Sequence, residues 1–160
     1  MEPFKRLLFF RRIFRKAEGL NYIATETIPY FKECEPIVSQ AGFVLVELQV
    51  VPQKRSVNVT VVIAQKDAAK DIGVADCSTV HHALKEPLLD MLKRSEDDLF
   101  IQVCSPGLDR NIKNAAEFAV FVGRSVRVWS RTASDWISGI IQQADERQVT
   151  LEREGGTQSI

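Results

Sequence analysis

The sequence of 160 residues has few of the features that mark secreted, membrane or metal-binding proteins. Its three cysteines, Cys34, Cys77 and Cys104, lie far apart and form no C-x-x-C, so we expect neither a disulfide framework nor a cysteine-based zinc site. No apolar run approaches the roughly 20 residues that span a bilayer. We therefore expect a folded cytoplasmic protein with no membrane partner.

Catalytic motifs are also missing, since no G-x-x-x-x-G-K-[ST], G-x-G-x-x-G, G-x-S-x-G or H-E-x-x-H occurs. His81 and His82 are adjacent on a predicted helix and about 100° apart around its axis, so they do not face one shallow site. Cys104, beside a turn, is a candidate nucleophile with either histidine as its base, although a small core cysteine is the commoner role. The sequence predicts no catalytic residue, no metal and no cofactor.

Basic and acidic side chains are equal in number, 21 of each, but they are unevenly placed. Residues 1–18 carry a net charge of +4, residues 19–104 a net −4, and residues 105–131 a net +3. A partner that carries phosphates would prefer the two positive stretches. For residues 1–22 we predict a basic, poorly ordered extension, and an amphipathic basic helix is the alternative.

Apolar periodicity predicts a two-layer α/β domain over residues 23–104. A helix capped by Thr27 and stopped by Gly42 carries a buried stripe, which comprises Ile28, Phe31, Cys34, Val38 and Ala41. Strands over 43–51 and 56–63 form an antiparallel hairpin. The alternation in the first strand places Val44, Val46, Leu48 and Val50 on one face. A helix over 74–92 and a strand over 99–104 complete the order α-β-β-α-β.

The chain from 105 to 160 predicts a separate small β-barrel. It opens with Ser105-Pro106-Gly107-Leu108-Asp109-Arg110, where the proline and the glycine favour a type II turn. A short helix with a capping-box-like pair, Asn114 and Glu117, is predicted to run through Val122 and to present Phe118, Phe121 and Val122 to a core. Strands follow at about 125–130, 136–144 and 148–153.

The candidate binding residues are cations and one aromatic near the start of this second domain. They are Arg110, Lys113, Arg124, Arg127, Trp129 and Arg131. Because alternate strand residues share a face, Arg127 and Trp129 are predicted neighbours. A guanidinium beside an aromatic ring can hold a phosphate and stack on a base, whereas an ordinary solvated face is the alternative. Trp136 on the next strand either joins this face or fills the core.

Four stretches resemble one known family. They are residues 36–46, residues 76–90, the run Val103-Cys104-Ser105-Pro106-Gly107-Leu108-Asp109-Arg110, and Phe118 with Phe121-Val122-Gly123-Arg124. The order of S-P-G-L-D-R, after a strand and before F-x-x-F-V-G-R, is the most specific of these features. Over roughly residues 28–152 the chain resembles the RimP (YhbC) family of bacterial ribosome maturation factors.

The resemblance implies an α+β fold, with a KH-like N-terminal domain over 23–104 and an SH3-like or Sm-like barrel over 105–160. It also implies a monomeric, non-enzymatic factor. Its partners would be the free small (30S) ribosomal subunit, the ribosomal RNA and a small-subunit protein near the decoding region. Cys104 and Asn111 depart from the serine and proline often seen beside the signature. The chain also ends about where the family's last barrel strand is expected. A protein-binding module without RNA contact and a Cys104-dependent enzyme remain as alternatives.

Overall fold

The computed structural model describes residues 13–14, 20–107, 110–130 and 133–160. The helices are α1 (Phe31–Gln40), α2 (Val74–Leu92) and α3 (Glu117–Val120). The strands are β1 (Ile13–Phe14), β2 (Phe43–Pro52), β3 (Val57–Gln65), β4 (Leu99–Cys104), β5 (Arg110–Asn111), β6 (Ser125–Ser130), β7 (Asp135–Ala144), β8 (Val149–Arg153) and β9 (Gly156–Ser159).

These elements form two compact units. The first, which we call the α/β unit, is Ala24–Pro106 and contains α1, β2, β3, α2 and β4. The second, which we call the β unit, combines the chain from Gly107 to Ile160 with the described residues that precede Ala24. The molecule is therefore a mixed α+β protein with two separate sheets, as the sequence predicts.

Helix α1 begins at Phe31, four residues later than the capping position predicted at Thr27. Thr27 instead closes a 3-10 turn, where its hydroxyl donates to the Ala24 carbonyl at 2.7 Å. Tyr30, with φ +64°, then separates this turn from the helix. The predicted stop at Gly42 is confirmed, since its φ of +98° is a conformation that glycine adopts without strain.

The sheet of the α/β unit has the order β2-β3-β4, with β2 antiparallel and β4 parallel to the central strand. The pairing shifts between Leu45 and Glu47, which places an extra residue in β2 at Val46. The predicted face of Val44 and Val46 is therefore wrong for the first part of the strand. Phe43 and Leu45 pack in the core before the bulge, and Leu48 does so after it.

Helix α2 has the bounds that the sequence predicts, and its stripe packs on the sheet. Val80, Leu84 and Leu88 are fully buried in one core with the stripe of α1 and the facing residues of β3. The helix begins with a polar cap, because the Asp76 carboxylate accepts the Gly73 backbone N–H at 2.8 Å. None of the helices among the described residues is long and apolar enough to cross a membrane.

The β unit contains a sheet with the order β5-β1-β6-β7-β8-β9, in which β6 to β9 are antiparallel neighbours. The sequence predicts β6, β7 and β8 within one residue of their bounds, but it does not predict β9. The short strand β1 pairs in parallel with β5 and β6, so Ile13 and Phe14 are in a sheet and not in a helix or an irregular extension. The rest of residues 1–19 lies outside the described part of the chain.

The predicted short helix of the β unit is a turn followed by α3. Phe118 and Phe121 are buried as predicted, at 2% and 1% exposure, whereas Val122 is 42% exposed and does not face the core. The capping-box pair is only half formed. Asn114 accepts the Ala116 N–H through its side chain, but the Glu117 carboxylate turns toward Arg110.

Candidate functional site

The predicted neighbours Arg127 and Trp129 lie on the outer face of the β6–β7 hairpin. In the antiparallel register Trp129 is opposite Trp136, and Arg127 is opposite Ser138. Val126, Val128 and Ile137, on the other face, are at most 5% exposed. Strand alternation thus separates a buried apolar face from an outer face that carries one arginine and both tryptophans of the chain.

Trp136, whose place the sequence leaves open, joins this outer face and does not fill the core. Its ring centroid is 5.6 Å from that of Trp129, with the planes at 76°, which is an edge-to-face pair. The Arg127 Cζ lies 4.9 Å from the centroid of the Trp136 ring. We call these three residues, Arg127, Trp129 and Trp136, the tryptophan face.

The tryptophan face is a preorganised cation–aromatic surface. Arg127 reaches Trp136 diagonally across the two strands, since its direct partner is Ser138. A guanidinium over an indole contributes about 0.5–1 kcal/mol at an exposed site, and it keeps N–H donors directed outward. Arg127 is exposed and both tryptophans are half-buried. The arrangement can offer hydrogen bonds to a phosphate and an aromatic surface to a base.

Arg110 is placed differently from the other candidate residues. Its side chain is only 8% exposed, and its Nε donates to the Glu117 carboxylate at 2.8 Å. Glu117 is itself 5% exposed and also accepts the backbone N–H of Lys113 at 3.4 Å. Arg110 thus differs from an exposed surface cation, because its guanidinium is buried and paired with a buried carboxylate; a role in binding stays a prediction. The feature of the sequence that indicates this pairing is Glu117, an acidic residue next to the buried Phe118.

The remaining candidates have separate positions in the β unit. Lys113 is exposed between β5 and α3, and Arg124 is half-buried immediately before β6. The backbone of Arg124 is fixed at both ends, since its N–H donates to the Phe121 carbonyl and its carbonyl accepts from Ile141. Arg131 lies outside the described residues, so the structure adds nothing to its prediction.

The signature between the two units is described in part. Gly107 has φ +80°, the value that the third position of a type II turn requires, and this agrees with the predicted turn. Ser105 and Pro106 precede it at the end of β4. Leu108 and Asp109 lie outside the described residues. Among the signature residues that the structure describes, Arg110 pairs through its side chain with Glu117.

The thiols and imidazoles have identifiable surroundings in the α/β unit. Burial raises the pKa of the Cys34 thiol to about 11, and burial also raises the pKa of Cys77. The Cys104 thiol donates toward the Val61 carbonyl at 3.7 Å, and His82 Nδ1 lies 2.7 Å from the Ser78 carbonyl. Among the residues that the structure describes, no group of three His, Cys, Asp or Glu side chains is placed to hold a metal ion.

In a comparison with protein families, residues 33–109 match the RimP N-terminal domain. The matched segment begins within α1 and extends through β4 into the signature that follows it. It therefore contains nearly all of the elements of the α/β unit.

Proposed function

This chain belongs to the RimP family of ribosome maturation factors, and we propose that it assists maturation of the small (30S) ribosomal subunit by binding the free subunit. Its activity is binding and not bond chemistry. By preferring one arrangement of the immature particle, it shifts the population toward that arrangement while later components join. It does so as a monomer in the cytoplasm.

We further infer that the α/β unit is a KH-like domain and that the β unit is an SH3-like barrel. The order α-β-β-α-β, with both helices on one face of the three-stranded sheet, supports the first inference. The antiparallel run from β6 to β9, with Val126, Ile141 and Leu151 at its core, supports the second. The predicted limits of the two domains are residues 23–104 and 105–160, and strand β1 from the basic segment 1–22 adds to the sheet of the second.

The tryptophan face is the observation that carries the RNA-binding part of the proposal. Unpaired bases of RNA stack on aromatic rings and on guanidinium planes, and their phosphates accept hydrogen bonds from arginine. Arg127 and Trp136 bring both chemistries within 4.9 Å of each other on an outer face. We therefore assign unpaired ribosomal RNA to this face, while a protein of the small subunit near the decoding region is the second partner.

The β unit has further positive charge from Lys113 and Arg124, and the sequence adds Arg131. Each phosphate that such side chains neutralise adds about 0.7–0.9 to the slope of log affinity against log salt. Binding is therefore expected to weaken steeply with salt. A module that contacts only protein would show a shallower dependence.

The test is co-sedimentation of the full chain with free small subunits, free large subunits and joined ribosomes across a salt series. We expect capture by free small subunits. Arg127→Glu is expected to weaken that capture about tenfold, since it replaces a hydrogen-bond donor by a negative charge that repels phosphate. Arg147→Glu is the matched control, because Arg147 is an exposed arginine of the same unit, in the turn between β7 and β8.

Fluorescence distinguishes RNA contact from protein contact, because Trp129 and Trp136 are the two tryptophans of the chain and both are on this face. A base stacked on either indole is expected to quench the emission. Single-stranded ribosomal RNA without protein should therefore quench the wild-type chain and should quench Arg127→Glu much less. Equal capture of the two charge-reversal variants, with no quenching by RNA, would remove the tryptophan face from the proposal.

A further inference from the structure

Strand β4 is an edge of the sheet in the α/β unit, and it lacks the charge, the proline and the bulge that commonly guard an edge. Its six residues, LFIQVC, include no charged residue and no proline. Its register with β3 is continuous from Leu99 to Cys104, so it contains no bulge. Among the residues that the structure describes, its outer side pairs with no other strand. Exposed edges of this kind accept a further strand readily.

The opposite edge of the same sheet is guarded, which makes the contrast informative. Strand β2 has the bulge at Val46, carries Glu47 in its middle and ends at Pro52. Each of these features opposes the addition of another strand. Phe100, by comparison, lies on β4 with 58% of its surface exposed. The β2 edge of the sheet is therefore guarded against an added strand, and the β4 edge lacks those guards.

A pocket lies between this open edge and α2. It is lined by His81, Lys85, Leu89, Glu96, Leu99 and Ile101. The three helix residues are spaced by four and the two strand residues by two, so each set faces the pocket from one side of its element. An extended chain paired with β4 would direct every second side chain toward this pocket. Edge strand and pocket together form the arrangement by which domains bind a peptide as an added strand.

The charge of the α/β unit indicates which kind of polymer would bind at the β4 edge. Residues 24–106 hold 8 basic and 12 acidic side chains, a net charge of −4. Glu96 and Asp97 are exposed immediately before β4, where Glu96 also pairs with Lys85, and the cations Lys93 and Arg94 are exposed at the nearby end of α2. The excess of acid over the whole unit opposes a nucleic acid or a second copy of this unit. It favours a cationic polypeptide.

We propose that β4 accepts an extended, lysine- and arginine-rich polypeptide segment as a fourth strand of the sheet, with alternate side chains of that segment in the pocket beside α2. The inference rests on the proposed function for the source of the segment, which is a protein of the small subunit. Backbone hydrogen bonds to β4 supply the affinity, and the acidic surroundings select the charge.

The experiment uses the full chain and three labelled probes of about six residues, the usual length of a strand. The first peptide alternates lysine and valine, the second alternates lysine and proline, and the third alternates glutamate and valine. The lysine–proline peptide has the charge of the first but lacks the N–H groups of a strand at every second position. We expect the lysine–valine peptide to bind and the other two to bind at least about tenfold more weakly.

The site is located by amide hydrogen exchange and by matched variants. The bound peptide should slow exchange in Leu99–Cys104, because an added strand protects the backbone of its neighbour. Phe100→Lys, which places a guarding charge on the edge, should abolish this protection. Val74→Lys is the control, since Val74 is an apolar residue of the same unit, 88% exposed, at the start of α2. Both variants replace an exposed side chain, so both are expected to fold.

Other outcomes overturn the inference in distinct ways. Equal binding of the two lysine peptides would show attraction by charge alone. Protection of β4 that depends on protein concentration without peptide would show pairing of two copies. Protection of β4 by a single-stranded uridine RNA would show a nucleic acid as the occupant. If the peptide binds while co-sedimentation with subunits fails, the proposed function fails and β4 remains a peptide site; the reverse result rejects the peptide site alone.

Discussion

The Nε of Arg110 donates to the Glu117 carboxylate at 2.8 Å, in a site where the two side chains are only 8% and 5% exposed. The pair joins β5 to α3 within the β unit. Glu117 also accepts the Lys113 backbone N–H, so one carboxylate fixes both the signature arginine and the chain that follows it. The last residue of the signature is thus paired with a residue of the short helix that follows it.

Breaking this pair is expected to destabilise the β unit strongly. Arg110→Met or Glu117→Met removes one member of this buried ion pair, which costs about 3–5 kcal/mol in free energy of unfolding. The double variant removes both charges, so its loss in free energy of unfolding should be clearly smaller than the sum of the two single losses. Urea unfolding followed by tryptophan fluorescence measures this, because both tryptophans are in the β unit. Additive losses in the double variant would contradict a direct interaction.

Asn114 attaches the segment before the α/β unit to the β unit. Its side-chain oxygen accepts the Ile23 N–H at 2.9 Å, and its side-chain nitrogen donates to the Ile23 carbonyl at 2.7 Å. Asn114→Asp keeps the acceptor but loses the donor and places a negative charge against a carbonyl. We expect the Ile23 amide to exchange with solvent about tenfold faster in this variant. Asn111→Asp, an exposed change on β5, should leave this amide unaffected.

Gly139 lies where β7 and β8 approach too closely for a side chain. An added Cβ would be 2.8 Å from the Glu152 carbonyl oxygen and 3.0 Å from the Leu151 Cβ. Since both neighbours are held in the sheet, Gly139→Ala is expected to lower the free energy of unfolding by about 1–3 kcal/mol. Ser138→Ala, at the exposed position beside it, should change the stability by less than about 0.5 kcal/mol. Thermal unfolding of the two variants compares them directly, and equal melting temperatures would contradict the prediction.

The Cys34 thiol makes the stability of the α/β unit depend on pH in the alkaline range. Its pKa is raised from 9.0 to about 11, chiefly by burial and secondarily by Glu33. The folded protein holds this proton more tightly than the unfolded chain does. The stabilisation is therefore complete below pH 9 and is lost as the pH rises toward 11, at up to about 1.4 kcal/mol per pH unit.

Cys34→Ala is the variant that isolates this effect. It removes the titrating group, so its stability should fall less steeply than that of the wild type above about pH 9. Urea unfolding at several pH values, followed by circular dichroism in the far ultraviolet, gives the two slopes. Parallel slopes would show that another group is responsible.

Helix α2 and strand β3 of the α/β unit could be predicted because their apolar residues follow two simple periods. The stripe of Val80, Leu84 and Leu88 requires a helix, and the alternation in β3 requires a strand with one face in the core. The prediction failed at Val46, where a bulge moves the core face from one set of residues to the other. A bulge depends on the partner strand, so the period of one strand does not reveal it.

The candidate site was predicted less completely than the fold. The alternation in β6 places Arg127 outward, but the contact with Trp136 depends on the register of β7, which two strands fix together. Arg110 and Arg127 have the same charge and fall in the same cationic stretch, yet one is buried with Glu117 and the other is exposed. The sequence predicts one surface for both, because the charge of a side chain does not reveal whether that side chain is buried.

The sequence by itself determined the α+β class, the order α-β-β-α-β of the first unit and the resemblance to the RimP family, because these follow from local periodicity and from short runs of residues. Only the tertiary structure decided which charges are buried, that Trp136 joins the outer face, and that β1 and β9 enter the sheet of the β unit. The physical reason is that burial and strand register depend on contacts between residues far apart in the chain, which no local pattern records.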